Sequence, residues 1–585
     1  MALGNVTGTV SDGALGLAAV LDLPPAVVGC CSSGTAATPA LVENADDLVS
    51  SFGYGPAVEL AALILARAGG PVVFCRAATA TAGVLGGFCQ GGAGSAGPGT
   101  LVAAGVNTST ALPALTGTPD RPYAIKIVVT TAGANIAANP VVEVSLDGGV
   151  TYLAADTVDV SASAQAIGST GLSLAWTDGS FVAADSWSAV GTNCPTNADA
   201  TGTSVPVFSG TPRDAYRIRV QVVRAAASLA ALTAGVKVSY DDGETYGEEL
   251  AVPSTGAVAL GNSGLTVTFG SGTFVAGDLF RVRTAAPAFD STGLVAALTA
   301  LGTTSYDHEY VHVAGALDSS LAGDVKTSIE GLTSSGVYRW ALGEARDAAE
   351  GESASTWLAA ITGIIPGFTS FTSKRMALGG GYARVASKVL GGQHRRPVSW
   401  PISARLARLS RLTDNVGLAE HPGRVRRGEL EDVVAGSLAH DARLLPTLDT
   451  RRFLALQSLQ GRTGYYATDR TCAPDGSDFT TVMNIRVMCL ASRATQTILT
   501  EYVNDNVRTI SGGRIDPRDA KAIEEYVASK LAATLGNRAS AVAATVNRTD
   551  NIASTRTLRV KMRLQPLGYA TAISFDISFA LNLAS

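Results

Sequence analysis

From Ala572 to Leu583 apolar residues alternate with small or polar ones: Ile573, Phe575, Ile577, Phe579, Leu581 and Leu583 against Ala572, Ser574, Asp576, Ser578, Ala580 and Asn582. A period of two specifies a β-strand with one buried face, because successive side chains on a strand point to opposite sides. Burying those side chains does not by itself offset the backbone entropy of fixing the segment, so the strand requires a host sheet. One strand-like stretch, Arg556 to Leu564, precedes it across the turn Gln565-Pro566-Leu567-Gly568. A hairpin of these two still leaves an unpaired edge, and such an edge is a template for pairing with another chain. The pattern points to self-assembly before it points to catalysis.

The rest of the 585 residues can build ordinary cores, with 46% hydrophobic and 16% charged residues. A net charge of −5 gives no global attraction to nucleic acid or anionic lipid. The strongest apolar run, Leu60 to Ala66 between Glu59 and Arg67, is far shorter than the roughly 20 residues of a membrane helix. With no Lys or Arg before Arg67, a secretory signal is not expected and folding in the cytoplasm is. Positive mean hydropathy, +0.23, then suggests apolar surface buried between subunits. Cys30, Cys31, Cys75, Cys89, Cys194, Cys472 and Cys489 are sparse and lack C-x-x-C spacing, so neither a zinc knuckle nor a disulfide framework is indicated. Most are expected to be small buried residues, with Cys30 and Cys31, on an early mobile segment, the best placed for bonds between subunits.

Along the chain, FGYGPAVELAALILARAGGPVVFCRA, from Phe52, reads as loop, helix from Pro56, a Gly69-Gly70 stop and a buried strand from Pro71. Residues 86–100 read as a Gly/Ser/Ala linker. An internal duplication follows. Gly117-Thr118-Pro119 with Tyr123 returns as Gly210-Thr211-Pro212 with Tyr216; VSLDGGVTY, from Val144, returns as VSYDDGETY, from Val238. GLSLAWTDGSFVAADSW, from Gly171, returns as GLTVTFGSGTFVAGDLF, from Gly264. β-Branched residues and Asp-Gly turns predict hairpins in two tandem all-β modules, 113–205 and 206–286. From Phe289, helices alternate with strands, which implies a mainly parallel sheet. Near the C-terminus, Thr480 to Arg508 reads as a strand running into a helix, and Asp516 caps a helix with Pro517 at its first position and Ile523, Val527, Leu531 and Leu535 as its stripe.

Tempting motifs fail their context. His308-Glu309-Tyr310-Val311-His312 matches H-E-x-x-H, but that chemistry needs a helix, and here the surroundings read as a strand. On a strand the two imidazoles stand roughly 13 Å apart and cannot share an ion. Gly92, Gly94 and Gly97 match G-x-G-x-x-G but lead to Pro98 and no helix. Gly379-Gly380-Gly381 reads as a bulge or a close backbone approach. The stretch from Lys374 to Arg427 is rich in Lys and Arg, with only Asp414 and Glu420 as acids. It is open to three readings: a solvated face, a nucleic-acid surface, or an interface with an acidic partner centred on Arg395, Arg396, Arg405 and Arg408. No catalytic set, metal site or cofactor site is proposed from the sequence.

Two of these blocks, FGYGPAVELAALILARAGGPVVFCRA and the terminal LRVKMRLQPLGYATAISFDISFALN, together with NVTGTVSDGALGL near the start, resemble the contractile tail sheath proteins of bacteriophages. The likeness covers about 1–90 and 287–585. It implies a multidomain α/β (α+β) fold. An N-terminal arm (1–30) and the first part of the core (31–100) precede the β-modules, which depart from the family as insertions. The core resumes over 287–460, and a C-terminal sheath domain (461–585) ends in the arm strand 572–583. The resemblance implies six-fold rings stacked helically around a tail tube protein, bounded by baseplate and tail terminator proteins. The subunit would be assembled in the host cytoplasm and carried in the virion tail, with no enzyme activity, cofactor, nucleic acid or membrane insertion. Subunits would be linked by arms that add strands to a neighbour's sheet, through Val6, Val10, Ile573, Phe575, Ile577, Phe579 and Leu581. The alternatives are the sheath of a bacterial contractile injection system and a β-repeat surface adhesin.

Overall fold

The computed structural model describes residues 23–90, 96–158, 164–191, 193–196, 199–363, 368, 370–411, 433–438, 445–457, 465–503 and 505–566. The expected arm residues Val6, Val10, Ile573, Phe575, Ile577, Phe579 and Leu581 lie outside them.

The body is built on a seven-stranded sheet. Its elements are β1 (Ala26–Gly29), β2 (Ala40–Val42), α1 (Ala45–Phe52), α2 (Pro56–Ala68), β3 (Val72–Arg76), α3 (Ser291–Thr303), β4 (Tyr310–Ala316), α4 (Ser319–Ser334), β5 (Trp340–Glu344), α5 (Ala354–Thr362), β6 (Met376–Gly379), β7 (Tyr382–Ala386), β8 (Gln393–Pro397), α6 (Ser399–Arg411) and β9 (Phe453–Leu454). The strand order is β2-β3-β1-β4-β5-β6-β9, and every pair is parallel except β2–β3. Local chemistry sets the boundaries. Asn44 accepts the Asp47 amide at 2.8 Å to open α1; Pro56 opens α2, and Gly69 closes it in the left-handed region at φ 66°. Strands buried on both faces read as near-continuous apolar runs. Val28, Val73, Val311 and Val313 face a layer with Leu294, Leu298 and Val325 of α3 and α4. Val27, Val72 and Phe74 face the opposite layer, with Leu60 and Ile64 of α2 and Trp400 of α6. The glycine run after β6 is a close approach: a Cβ on Gly379 would stand 2.8 Å from that of Ser399, and one on Gly380 3.0 Å from that of Phe453.

Between β3 and α3 lie two β-lobes with matching strand pairings. In the first, a sheet ordered Asp156–Thr157, Val141–Ser145, Ile125–Thr131, Ser186–Ala189, Val102–Ala103 accompanies a smaller one of Gln165–Ala166, Leu172–Trp176 and Pro113–Gly117. In the second, Leu250–Ala251, Gly235–Ser239, Arg217–Arg224 and Leu279–Ala285 accompany Ala257–Ala259, Leu265–Phe269 and Pro206–Gly210. Each lobe encloses its own core, around Ile125, Phe181 and Trp187 in one and Val220, Val267 and Phe280 in the other. The repeated Ser-x-Asp turns close identically. Thr151 Oγ1 donates to Asp147 at 2.6 Å, and Thr245 Oγ1 to Asp241 at 2.7 Å. The segment read as a linker, 86–100, is partly strand, since Cys89–Gln90 pairs with Leu279–Ala285 of the second lobe.

At the C-terminal end, α7 (Val482–Thr500) and α8 (Pro517–Leu535) pack together and support the hairpin of β10 (Ala541–Val546) and β11 (Val560–Gln565). Thr480 to Arg508 is therefore mainly helix, not a strand running into one. The stripe Ile523, Val527, Leu531 and Leu535 is buried, and Asp516 accepts the Arg518 amide at 2.8 Å. The strand near Arg556–Leu564 pairs with β10, from Ala541↔Gln565 to Val546↔Val560. The sequence AVAATV was not read as a strand because its alanines give little of the β-branched signal.

Candidate assembly site

The alternation in β11 sorts its side chains. Val560, Met562 and Leu564 turn toward α8, while Lys561 and Arg563 are exposed. Among the described residues β10 and β11 pair with no strand but each other, so the hairpin presents unpaired outer edges. Arg559, Lys561 and Arg563 give it a basic outer face; Arg559 lies 3.6 Å from Asp550.

The four arginines of the basic stretch separate by environment. Arg395 and Arg396 sit on β8 beneath the second lobe and are not surface charges. Arg395 donates to both oxygens of Asp347 at 2.5 and 2.6 Å. Arg396, 3% exposed, joins Glu59 of α2 to Asp214 of the second lobe, whose Oδ2 lies 2.9 Å from Nη2. Surface reading failed here because the acids that neutralise this pair lie far off in sequence. Arg405 is half-buried on α6 and Arg408 exposed.

This seam between body and lobes is the most concentrated polar cluster among the described residues. The loop after β5 supplies Asp347 and Glu350. Asp347 takes Arg217 of the second lobe at 3.3 Å; Glu350 takes Arg121 of the first lobe and, at 3.0 Å, Arg283 of the second. Arg283 also reaches Asp147 of the first lobe at 3.2 Å. One short loop thus ties three units together. Although burial opposes it, the facing arginines hold Asp347 and Glu350 below the usual carboxylate range. Burial raises Asp214 to about 7, while Arg396 keeps Glu59 lowered against its own burial. Beside them lies a cavity of about 300 Å³ walled by Tyr216, Tyr240, Tyr382, Trp400 and Phe289, where the Tyr216 hydroxyl has no partner among the described residues. The charges here satisfy one another, which makes a joint and leaves no nucleophile or base in a productive pair.

The two histidines of the H-E-x-x-H match go separate ways. His308 Nδ1 contacts the Tyr306 carbonyl at 3.2 Å, and burial followed by Arg339 pushes the imidazole down to about 3. His312, on β4, contacts Glu344 at 3.1 Å. Cys30 and Cys31 are buried just after β1, not presented for bonds between subunits, and burial pushes the Cys31 thiol up to about 12. Cys89 and Cys194 form a disulfide, with Cα atoms 5.9 Å apart, that the spacing of the cysteines did not announce. No helix among the described residues is long and apolar enough to cross a membrane.

In solved structures the chain is similar to a sheath tail protein of Desulfitobacterium hafniense, at 10% identity over 97% of this chain and 100% of that one, with a TM-score of 0.40. A sheath tail protein of Listeria innocua aligns at 10% identity over 94% and 95%, TM-score 0.39. The helical sheath of the anti-feeding prophage in its contracted state aligns at 13% identity over 51% and 78%, TM-score 0.35. No curated protein sequence matches. The DUF2586 N-terminal domain matches residues 3–471 and the DUF2586 C-terminal domain residues 478–584, so the chain belongs to the DUF2586 family.

Proposed function

We propose that this chain is the structural subunit of a contractile sheath that polymerises around a tail tube and shortens by rearranging its subunit contacts, driving the tube through an envelope. The observation that carries this reading is the C-terminal hairpin. Its apolar face is taken by α8, its edges are unpaired among the described residues, and a segment of strict period two follows it at 572–583. A neighbour's strand on such an edge links subunits through main-chain hydrogen bonds while the bodies remain free to reorient.

In this reading Ile573, Phe575, Ile577, Phe579 and Leu581, with Val6 and Val10, are the linking residues of the two arms. Rings of six stack helically on the tube protein between a baseplate and a terminator. The β-lobes are a duplicated insertion carried outside the sheath body. Of the candidate basic interface, Arg395 and Arg396 bind acids of their own subunit, and Arg408 is exposed on α6. The particle is a phage tail; the alternative is the sheath of a bacterial contractile injection system, and the neighbouring genes separate the two.

Negative-stain electron microscopy of the purified protein tests the reading. Hollow cross-striated tubes or stacked rings are expected. Monomers that persist at high concentration, and also after addition of the tube protein, would sink it. Deletion of 572–585 is expected to leave folded monomers that never polymerise, and ordered tubes from that truncation would remove the strand-exchange mechanism.

A further inference from the structure

We propose that Cys89 and Cys194 form a redox-operated lock at the root of the first β-lobe, open as a dithiol in a reducing cell and closed once the particle meets an oxidising medium. The timing rests on the function proposed above; the chemistry does not.

The bond joins the point where the chain enters the lobe to the point where it leaves, a separation of 105 residues that encloses the whole lobe in one covalent ring. Its anchor is outside the lobe. Cys89 lies in a strand that pairs with the second lobe, Arg281 opposite Cys89 and Phe280 opposite Gln90. On the other side Cys89 bridges to Gly191, and the Gly191 amide donates to the Phe88 carbonyl at 2.7 Å. Closing the bond therefore fastens the first lobe to a strand already held by the second.

Both redox states fit the site. In the bonded form Cys194 Sγ lies 2.9 Å from the Gly191 carbonyl and Cys89 Sγ 3.3 Å from that of Tyr123, carbonyls that would accept from the two thiols once the bond is open. In the bonded form the Cα separation of 5.9 Å is within the usual disulfide range of roughly 4.4–6.8 Å. The other five cysteines are free and buried, which leaves this pair without competitors in the folded chain.

Both sulfurs are buried, so exchange with an oxidant proceeds through local opening at the root of the lobe. Cys89 lines a cavity of about 50 Å³ together with Arg121, Arg217, Arg281 and Arg283. The form that attacks a disulfide is the thiolate. The oxidant is a low-molecular-weight disulfide such as oxidised glutathione. One thiolate attacks it, releasing a glutathione thiol and forming a mixed disulfide. The second thiolate then displaces the other glutathione. Two protein S–H bonds are lost, one protein S–S bond forms, and both electrons and both protons end on two glutathione thiols. Intracellular reductants hold such a pair open, and an extracellular setting lets it persist.

The test divides protein purified in reductant into two parts, one kept reduced and the other treated with oxidised glutathione without denaturant. Alkylation in denaturant and peptide mass spectrometry follow. The expected result is a Cys89–Cys194 linked peptide in the oxidised part alone, with both parts equally folded by near-UV circular dichroism. Free thiols at 89 and 194 after oxidation, pairing with other cysteines, or loss of fold in the reduced part would overturn the proposal. A second measurement inserts a protease site between Ala134 and Asn135, in an exposed turn of the ring. After cleavage the oxidised protein should run as one band without reductant and two with it, whereas Cys194→Ser should give two bands in both. Two bands from the oxidised wild-type ring without reductant would refute the lock. None of these readouts depends on tube formation, so they stand or fall apart from the sheath reading.

Discussion

Arg396 Nη2 lies 2.9 Å from Asp214 Oδ2 while the same guanidinium holds Glu59, all three side chains being buried between α2, β8 and the second lobe. Removing the cation leaves the Glu59 carboxylate and the Asp214 carboxyl without their shared partner in a buried seam. Arg396→Met is expected to cost about 3–5 kcal/mol of unfolding free energy, the usual penalty for breaking a buried ion pair from one side. Chemical denaturation measures it, and a loss under about 1 kcal/mol would mean that the seam is open to water.

The same cluster sets a pH dependence with a definite sign. Burial raises the Asp214 carboxyl to about 7 in the folded protein, against roughly 3.9 in an unfolded chain. The folded state therefore keeps a proton that the unfolded state has released. This contribution is complete below roughly pH 4 and is lost as pH rises through about 7. Asp347 and Glu350, lowered by their arginines, run the other way and lose their contribution as pH falls. Asp214→Asn should remove the falling component between roughly pH 4 and 7. An identical slope in the variant and the wild type would contradict the assignment.

Gly379→Ala probes the packing of the body. The added Cβ would stand 2.8 Å from the Cβ of Ser399 and 3.2 Å from its amide nitrogen, both at the start of α6. Separating β6 from that helix should cost about 1–3 kcal/mol, the scale of overpacking in a tight core. An unchanged denaturation midpoint would show that α6 can give way freely.

Arg408→Glu separates assembly from folding. The side chain is exposed on α6, so the monomer should change by less than about 1 kcal/mol. If α6 faces an acidic neighbour, the ionic-strength dependence of polymerisation should shift, as turbidity and electron microscopy would record. Assembly curves that overlay those of the wild type at low and high salt would remove Arg408 from the interface.

The sequence disclosed what local chemistry decides. Pro56 and Asp516 mark helix starts by their proline and capping signals, and the apolar runs around Val73 and Val311 mark buried strands. What it hid depends on residues remote in the chain. Arg396 reads as surface charge until Glu59 and Asp214 arrive from two other units, and Cys89 reads as a lone thiol until the lobe closes on Cys194. The partner of β11 was missed for another reason, since in Ala541–Val546 the tertiary contact with α8 decides what alanine-rich propensity does not.

The place of β1 also fixes an order of synthesis. Val28 pairs with Cys75 on one side and Val313 on the other, and both β-lobes are encoded between the last two. On the ribosome the first strands of the body must wait, apolar and incomplete, while two lobes with cores of their own emerge and fold ahead of the sheet that will carry them. The part of the chain that interrupts the sheet is thus finished before the sheet itself.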